Sequence, residues 1–472
     1  MGTISLLLPL LLVVWVPAAG ICAESIASAT SFDLLSCINS ALETNPRLLA
    51  QKQESIGAKA RFSRAKSAQL PRIKAEETFT RLKDPLAFEL PGAGKMTLGD
   101  DKIQIKTLKI TQPIYTGGKI ENMVRLARTE TTLQKELERR EREDLCRAVS
   151  EAYFSILSAR DLREVASQAL FDTLGHEERV RNLLEAGTAL KNDVLKIHVS
   201  VLDREEQLLR AQNAVILACQ NLSNLTGLEI SPEGEFSGFG FRLPPPTGYD
   251  ETMNLAMQHH PLILALDKKI DIKKTSVDLA KADRRPSVGL QGSYNSGSQL
   301  NEAQKNWDAT LYVGYTLFDA GEVQARVREE RSGLEKQRQE YEDVKRKIGL
   351  AIQQALLKLT EADRRQQLSA KAEEQANESR RMTVESHQVG AATSQDLLDS
   401  ETALASARNR HVTAQHDRSL AEVALWHTFG CLEPALDATG EKSVSFLLSS
   451  PAASASSGLA SSSSNMKNSR IP

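Results

Sequence analysis

The sequence predicts a mainly α-helical fold with a β-barrel portion, assembled from two copies of one helix–hairpin–long helical hairpin unit. Three observations predict it. Short segments recur in the same order in the two halves of the 472-residue chain. Each half holds a charged run of helical period, long enough for an extended coiled coil. Each half also holds two extended segments, and in the second half their apolar residues alternate cleanly with polar ones.

The duplication shows as constant offsets. ETNPRLLA (43–50) has its counterpart in QHHPLILA (258–265), so Pro46 and Pro261 stand 215 positions apart, as do Pro71 and Pro286 (261 − 46, 286 − 71). Further on the offset is 203. It relates Gly118 to Gly321 in IYTGGK and LFDAGE, Gly187 to Gly390 and Asp193 to Asp396 in GTALKNDVL and GAATSQDLL, and Gly227 to Gly430. Offsets that persist over five segments mark an internal repeat. The step from 215 to 203 places twelve extra residues in the first half, between Pro71 and Gly118.

In chain order, residues 1–23 read as a secretory signal peptide: an apolar run from Ile4 to Val16, too short to span a membrane, then small residues. Cys22 leaves lipidation open, although Ile21 stands where a lipobox wants a small residue. The first repeat occupies 24–240 and the second 241–432. Each opens with a short helix (about 32–43; about 250–258), then a proline and a helix of some two dozen residues (about 47–69; about 262–284) that Pro71 or Pro286 stops. Two strands follow (about 72–83 and 102–113; about 286–297 and 307–318). Long helices come next, at about 118–186 and 321–389, each ~100 Å at 1.5 Å per residue. Val327, Leu334, Tyr341, Ile348, Ile352 and Leu359 form a coiled-coil stripe along the second of them. Gly187 or Gly390 breaks the run, and a last helix (about 190–225; about 393–429) closes the repeat. Residues 433–472 are a linker and a Ser/Ala-rich tail that cannot bury enough apolar surface to fold.

The strand WDATLYVGYTLF (307–318) explains the architecture. Trp307, Leu311, Val313, Tyr315 and Leu317 share one face, yet charged helix follows directly. Such a face suits a barrel wall in a bilayer. A lipid-exposed sheet has to close, because a free edge leaves backbone groups unpaired in hydrocarbon. Four strands are too few for one chain, since the smallest outer-membrane barrels have eight. Three chains would give twelve strands, and three also suit a tube of coiled helices.

The NP-x-L at Asn45–Leu48, the turns PIYTGGK and TLFDAGE, and the paired segments GTALKNDVL and GAATSQDLL, in duplicate and in this order, resemble the TolC-like outer-membrane efflux factor family over roughly residues 32–432. The resemblance implies a homotrimer in outer-membrane lipid, a trimeric 12-stranded outer-membrane barrel continuing into a periplasmic α-helical coiled-coil tunnel, that docks a periplasmic adaptor protein and an inner-membrane pump, as the passive exit duct of a tripartite export system. It places Gly187, Thr188, Gly390 and Ala391 at the periplasmic tips where adaptors dock. It likens Asp396 and Asp399, with Asp193 in the first repeat, to aspartates that ring the closed tunnel mouth, and adds His387 to that gate. This chain has Ala392 and His387 where well-known members carry an arginine and a tyrosine, so their locks do not carry over.

The rest of the chemistry is sparse. GAGK (92–95) is not a phosphate loop: Glu89 replaces the first glycine of GxxxxGK and Met96 follows the lysine. No HExxH, CxxC or nucleophile motif occurs, so the sequence suggests no enzyme, cofactor or metal site. A net charge of −2 gives no reason to expect nucleic acid. Cys37, Cys146, Cys219 and Cys431 read as buried thiols, with disulfide pairing left open. A ring of aspartates predicts cation selectivity and some raised carboxylate pKa values. The bland alternative is a solvated helix face. The rival to the duct as a whole is a periplasmic coiled-coil scaffold, which explains the heptads but neither the signal peptide nor the aromatic strands.

Overall fold

The computed structural model describes residues 31–83, 87–90, 92, 94–97, 102–237, 248–299 and 302–433. The expected signal peptide, Cys22 and the Ser/Ala-rich tail lie outside them. The first repeat contains β1 (Ser31–Phe32), α1 (Leu34–Thr44), α2 (Pro46–Ser67), β2 (Arg72–Arg81), β3 (Ala87–Leu90), β4 (Gly94–Thr97), β5 (Lys102–Tyr115), α3 (Lys119–Glu185), α4 (Lys191–Thr226) and β6 (Glu235–Phe236). The second contains α5 (Tyr249–His259), α6 (Pro261–Ala282), β7 (Ser287–Gln299), β8 (Glu302–Gly314), α7 (Glu322–Gln388) and α8 (Ser394–Thr428).

The repeated local sequences form repeated caps. Pro46 and Pro261 occupy the first turn of α2 and α6, where a missing N–H costs nothing. Before each stands a residue whose side chain accepts from the helix: Asn45 from Arg47 N at 3.0 Å, and His260 Nδ1 from Leu262 N at 3.2 Å. Burial pushes the His260 imidazole down to about 4, with the charges of His427 and Arg140 adding to the effect, so it remains a neutral acceptor.

β2, β5, β7 and β8 form one antiparallel sheet in the order β2-β5-β7-β8. Its register aligns an apolar face across all four strands: Ala75 opposite Leu108, Leu108 opposite Tyr294, Tyr294 opposite Trp307. The next rows on that face run Ile73–Ile110–Gly292–Ala309 and Leu290–Leu311. Ile73, Phe79, Trp307, Leu311 and Val313 are 64–73% exposed. The other face is polar, with Thr107 donating to Asn295 at 2.8 Å and Ser293 to Asp308. There a Cβ on Gly289 would meet the Tyr312 hydroxyl at 2.3 Å, so only glycine lets that ring lie across the neighbouring strand. β2 and β8 are edge strands without further partners among the described residues.

The strand ends differ from the alternation. β8 is Glu302–Gly314, not 307–318. β7 starts at Ser287, just after Pro286, and pairs its first residue with Gly314, so Tyr315–Phe318 have no strand to bond. At the other end pairing runs to Gln299↔Glu302, so most of the polar stretch between the two expected strands is strand as well. β5 continues to Tyr115 through a register shift at Pro113, which has no N–H to give the ladder, and β2 stops at Arg81. The twelve-residue insertion carries its own hairpin, β3 against β4.

α3 and α7 each run 67 residues. α3 packs on α4, α7 on α8, and the two pairs meet along α3 and α8. The main core lies at mid-height, where α1 and α5 cover the long helices: Leu34, Ile38, Tyr153, Ile156, Leu222, Ile352 and Trp426 are buried in it. The four described cysteines are buried in this core, and none of them is in a disulfide. Burial pushes Cys37 to about 11 and Cys431 to about 12, which keeps both protonated.

Candidate functional site

The two helical hairpins turn at 186–190 and 389–393, and both turns are built alike. Gly187 N bonds Leu184 O at 3.0 Å and Thr188 N bonds Leu183 O at 2.9 Å. Gly390 N bonds His387 O at 3.1 Å and Ala391 N bonds Ser386 O at 2.8 Å. This is the Schellman closure, which needs a left-handed residue after the helix; the two glycines have φ of +76° and +75°. Nothing lies within 4 Å of a Cβ built on either glycine, so both tips are open outward. Leu190 and Val389 are 70% and 80% exposed beside them.

Asp193 and Asp396 take the same place in the structure, the third residue of α4 and α8. Asp396 Oδ2 accepts from Thr393 N at 2.8 Å and from Thr393 Oγ1 at 2.7 Å, while Thr393 Oγ1 caps Asp396 N at 3.2 Å. That is a reciprocal capping box. The Thr393 hydroxyl and then its N–H hold the Asp396 carboxyl below its ordinary value, opposite in direction to the rise expected of a crowded ring. The first repeat has Leu190 in place of Thr393, so Asp193 keeps only a 3.4 Å contact to the Leu190 N–H. Asp399 lies one turn further and accepts from Gln395 Nε2 at 2.9 Å. The two second-repeat carboxylates therefore differ: Asp396 is engaged in the cap, and Asp399 has only a neighbouring amide.

His387 does not join them. Its Nε2 lies 3.4 Å from Ser394 Oγ, and its ring meets His176 of α3 edge-on at 5.7 Å. Burial and then the His176 ring lower its pKa. Behind it, His176 is fully buried and its Nδ1 stands 3.9 Å from Glu401 Oε2 of α8. Neither the two His176 nitrogens nor the two Glu401 oxygens have a hydrogen-bond partner. Two further pairs follow along the same seam: His416 Nε2 to Asp161 Oδ2 at 2.7 Å, and His427 Nε2 to Asp144 Oδ1 at 2.8 Å. Burial alone would raise Asp144, but the His427 bond and charge, with Arg140, bring it below its usual range. Three histidine–carboxylate contacts thus join α3 of the first repeat to α8 of the second. The sequence reading missed them; the available signal was a polar residue at a buried heptad position. At the mid-height end of α8, Glu143 accepts from Leu432 N at 2.9 Å. Burial pushes its carboxyl up to about 7.

Among the described residues no group of three or more His, Cys, Asp or Glu could hold a metal ion, and no helix is long and apolar enough to cross a membrane.

The sequence pattern of the family described as outer membrane efflux protein matches residues 37–228 and 252–430, one block per repeat. The chain belongs to the outer membrane efflux protein family. Membership makes it an outer-membrane export channel protein. The alkaline protease secretion protein AprF of Pseudomonas aeruginosa is 24% identical over 421 residues, 86% of each chain. The outer membrane efflux protein BepC of Brucella suis is 24% identical over 376 residues, 78% of each chain. The crystal structure of the Campylobacter jejuni CmeC outer membrane channel superposes with a TM-score of 0.75 at 16% identity, covering 84% of this chain and 86% of that one. The open state of the Neisseria gonorrhoeae MtrE channel gives 0.71 at 18% identity, covering 84% and 89%. The fold is that of these channels, a helical tunnel carrying a β-barrel. The scaffold reading gives way to the family.

Proposed function

We propose that the protein works as a homotrimer, the passive outer-membrane exit duct of a tripartite export system that receives substrates from an inner-membrane pump through a periplasmic adaptor. The observation that carries this reading is the four-stranded sheet. It has two open edges, one apolar face with Trp307 73% exposed, and one polar face. In hydrocarbon both edges need partners. Three copies supply twelve strands, with the apolar rows toward lipid and Thr107, Asn295 and Asp308 toward the lumen. Tyr315, Leu317 and Phe318, exposed just below the last strand pair, suit the aromatic girdle at the bilayer interface.

The tips suit adaptor docking. Gly187, Thr188, Gly390 and Ala391 form compact turns with exposed Leu190 and Val389 alongside, an apolar patch at the far end of the long helices. Asp399, with Asp396 and Asp193 at the adjacent helix starts, supplies the carboxylates of the mouth. His387, on α7, packs against His176 of the α3–α8 seam rather than standing in the ring. AprF is named for protein secretion and BepC for efflux, so both cargo classes fit this duct. Light scattering of the detergent-extracted protein tests the reading. A trimer that resists SDS until boiled is expected; a stable folded monomer rejects it.

A further inference from the structure

The long helices carry a groove that neither the tips nor the barrel explains. It has a volume of about 1160 Å³ and takes residues from all four helices at about half the distance between mid-height core and tip. α4 packs on α3, α3 on α8 and α8 on α7, so the four form one layer and the groove crosses its whole width. α3 turns Tyr153 toward the Phe32 and Ser237 carbonyls, and α7 turns Gly349 against Tyr249. By helical phase, Val165 and Ala169 on α3, and Arg365 and Leu368 on α7, lie on the opposite face. That face is clear of α1 and α5. It becomes the tunnel lining when three copies close, so the inference rests on the exit-duct reading above.

The floor is apolar, with Leu162, Val165, Ala169 and Leu368, and the walls are basic. Five arginines line the groove against two carboxylates, Glu361 and Asp417. Arg365 is paired with Glu361 and with Asp417, and Arg210 with Glu206 outside the groove. The other three have no carboxylate partner among the described residues. Arg204 donates to Thr402 Oγ1 at 2.8 Å, Arg364 to Gln367 Oε1 at 3.2 Å, and Arg410 to the Ser406 carbonyl at 3.3 Å. Each protomer therefore turns three un-neutralised guanidiniums toward one apolar-floored trough. Planar guanidinium forks hold carboxylates at two points, and low-dielectric walls concentrate their field.

We propose that this groove is a transit site for amphipathic organic anions, molecules with an apolar body and at least one carboxylate. The apolar body lies on the α3 floor, and each carboxylate pairs with one of Arg204, Arg364 and Arg410, which the Arg204–Thr402 and Arg365–Asp417 contacts space out along α8. The duct then has two filters of opposite sign: aspartates at the mouth and a basic band higher in the tunnel.

Single-channel recording in planar bilayers tests it, with naphthalene-2,6-dicarboxylate as the probe. The comparison compounds are its neutral dimethyl ester and a naphthylmethylammonium cation. The dianion should interrupt the current about tenfold more often than the ester, as one or two charge-assisted contacts dictate. Changing Arg204, Arg364 and Arg410 to Gln together should bring the dianion down to the level of the ester. Should that triple variant fail to form SDS-resistant trimers, the exposed single change Arg364→Gln carries the test, and blockades should shorten severalfold. Block by the ester or the cation as strong as that by the dianion, or block indifferent to Arg364→Gln, overturns the proposal. A protein that forms no conducting pore at all overturns the exit-duct reading instead.

Discussion

Replacing His176 and Glu401, singly and together, measures what the seam behind the tip contributes. Their closest atoms are 3.9 Å apart. With both groups charged, an effective dielectric near 20 gives an attraction of about 4 kcal/mol. Taking two ions out of water costs several kcal/mol each, so the intact pair comes out close to balance. His176→Leu leaves Glu401 buried with both oxygens unpartnered, which costs roughly 3–5 kcal/mol. The double change to leucine removes the charge as well as its partner, and the expected net effect is within about 1 kcal/mol or stabilising. At ~2 cal/mol/K per residue of unfolding entropy, a cost of about 4 kcal/mol lowers the melting temperature by roughly 4 °C for a chain of this size. The assay is loss of far-UV circular dichroism in detergent at one scan rate. His176→Leu should melt roughly 4 °C low. The double variant should melt with the wild type. If the double variant instead loses the sum of two single losses, the two residues are not coupled and the seam argument fails.

Glu143 predicts a pH effect. Its folded pKa is raised to about 7 from 4.5, so stability falls as pH rises between those values, and the full cost, about 3 kcal/mol, is present above them. Glu143→Gln keeps an acceptor for Leu432 N; it should match the wild type below pH 4.5 and exceed it above pH 7 in the same melt. At the mouth, Asp399→Asn should abolish periplasmic-side block by multivalent cations in planar bilayers with trimers intact. Asp396→Ala should in addition speed tryptic cleavage near the tip, because Thr393 loses its acceptor. Since the Asp396 pKa is depressed from 3.8, its cap holds at every pH above that value and loosens only as pH falls through the lower folded pKa. Gly390→Trp places a side chain on backbone at φ +75°, in open space. It should end adaptor crosslinking while trimers persist; undiminished crosslinking would show that docking lies elsewhere.

The sequence by itself determined the parts that depend on nearest neighbours. Periodicity located the helices, proline placed the starts of α2 and α6, and Gly187 and Gly390 ended the long helices, because each acts through its own φ/ψ or one helical turn. Thr393-x-x-Asp396 is likewise a capping box readable from four residues. Alternation found the strands but not their ends. Whether Tyr315 belongs to β8 depends on whether β7 still offers a partner, and β7 begins at Ser287. The seam was further out of reach. His176 meets Glu401, and His416 meets Asp161, only because α3 and α8 run antiparallel at one particular stagger. Residues separated by hundreds of positions are brought together by packing between repeats, and no local pattern encodes that stagger. The same holds for the basic groove. Arg204, Arg364 and Arg410 sit on three different helices, and each alone reads as an ordinary solvated arginine until the four-helix layer sets them around one apolar floor.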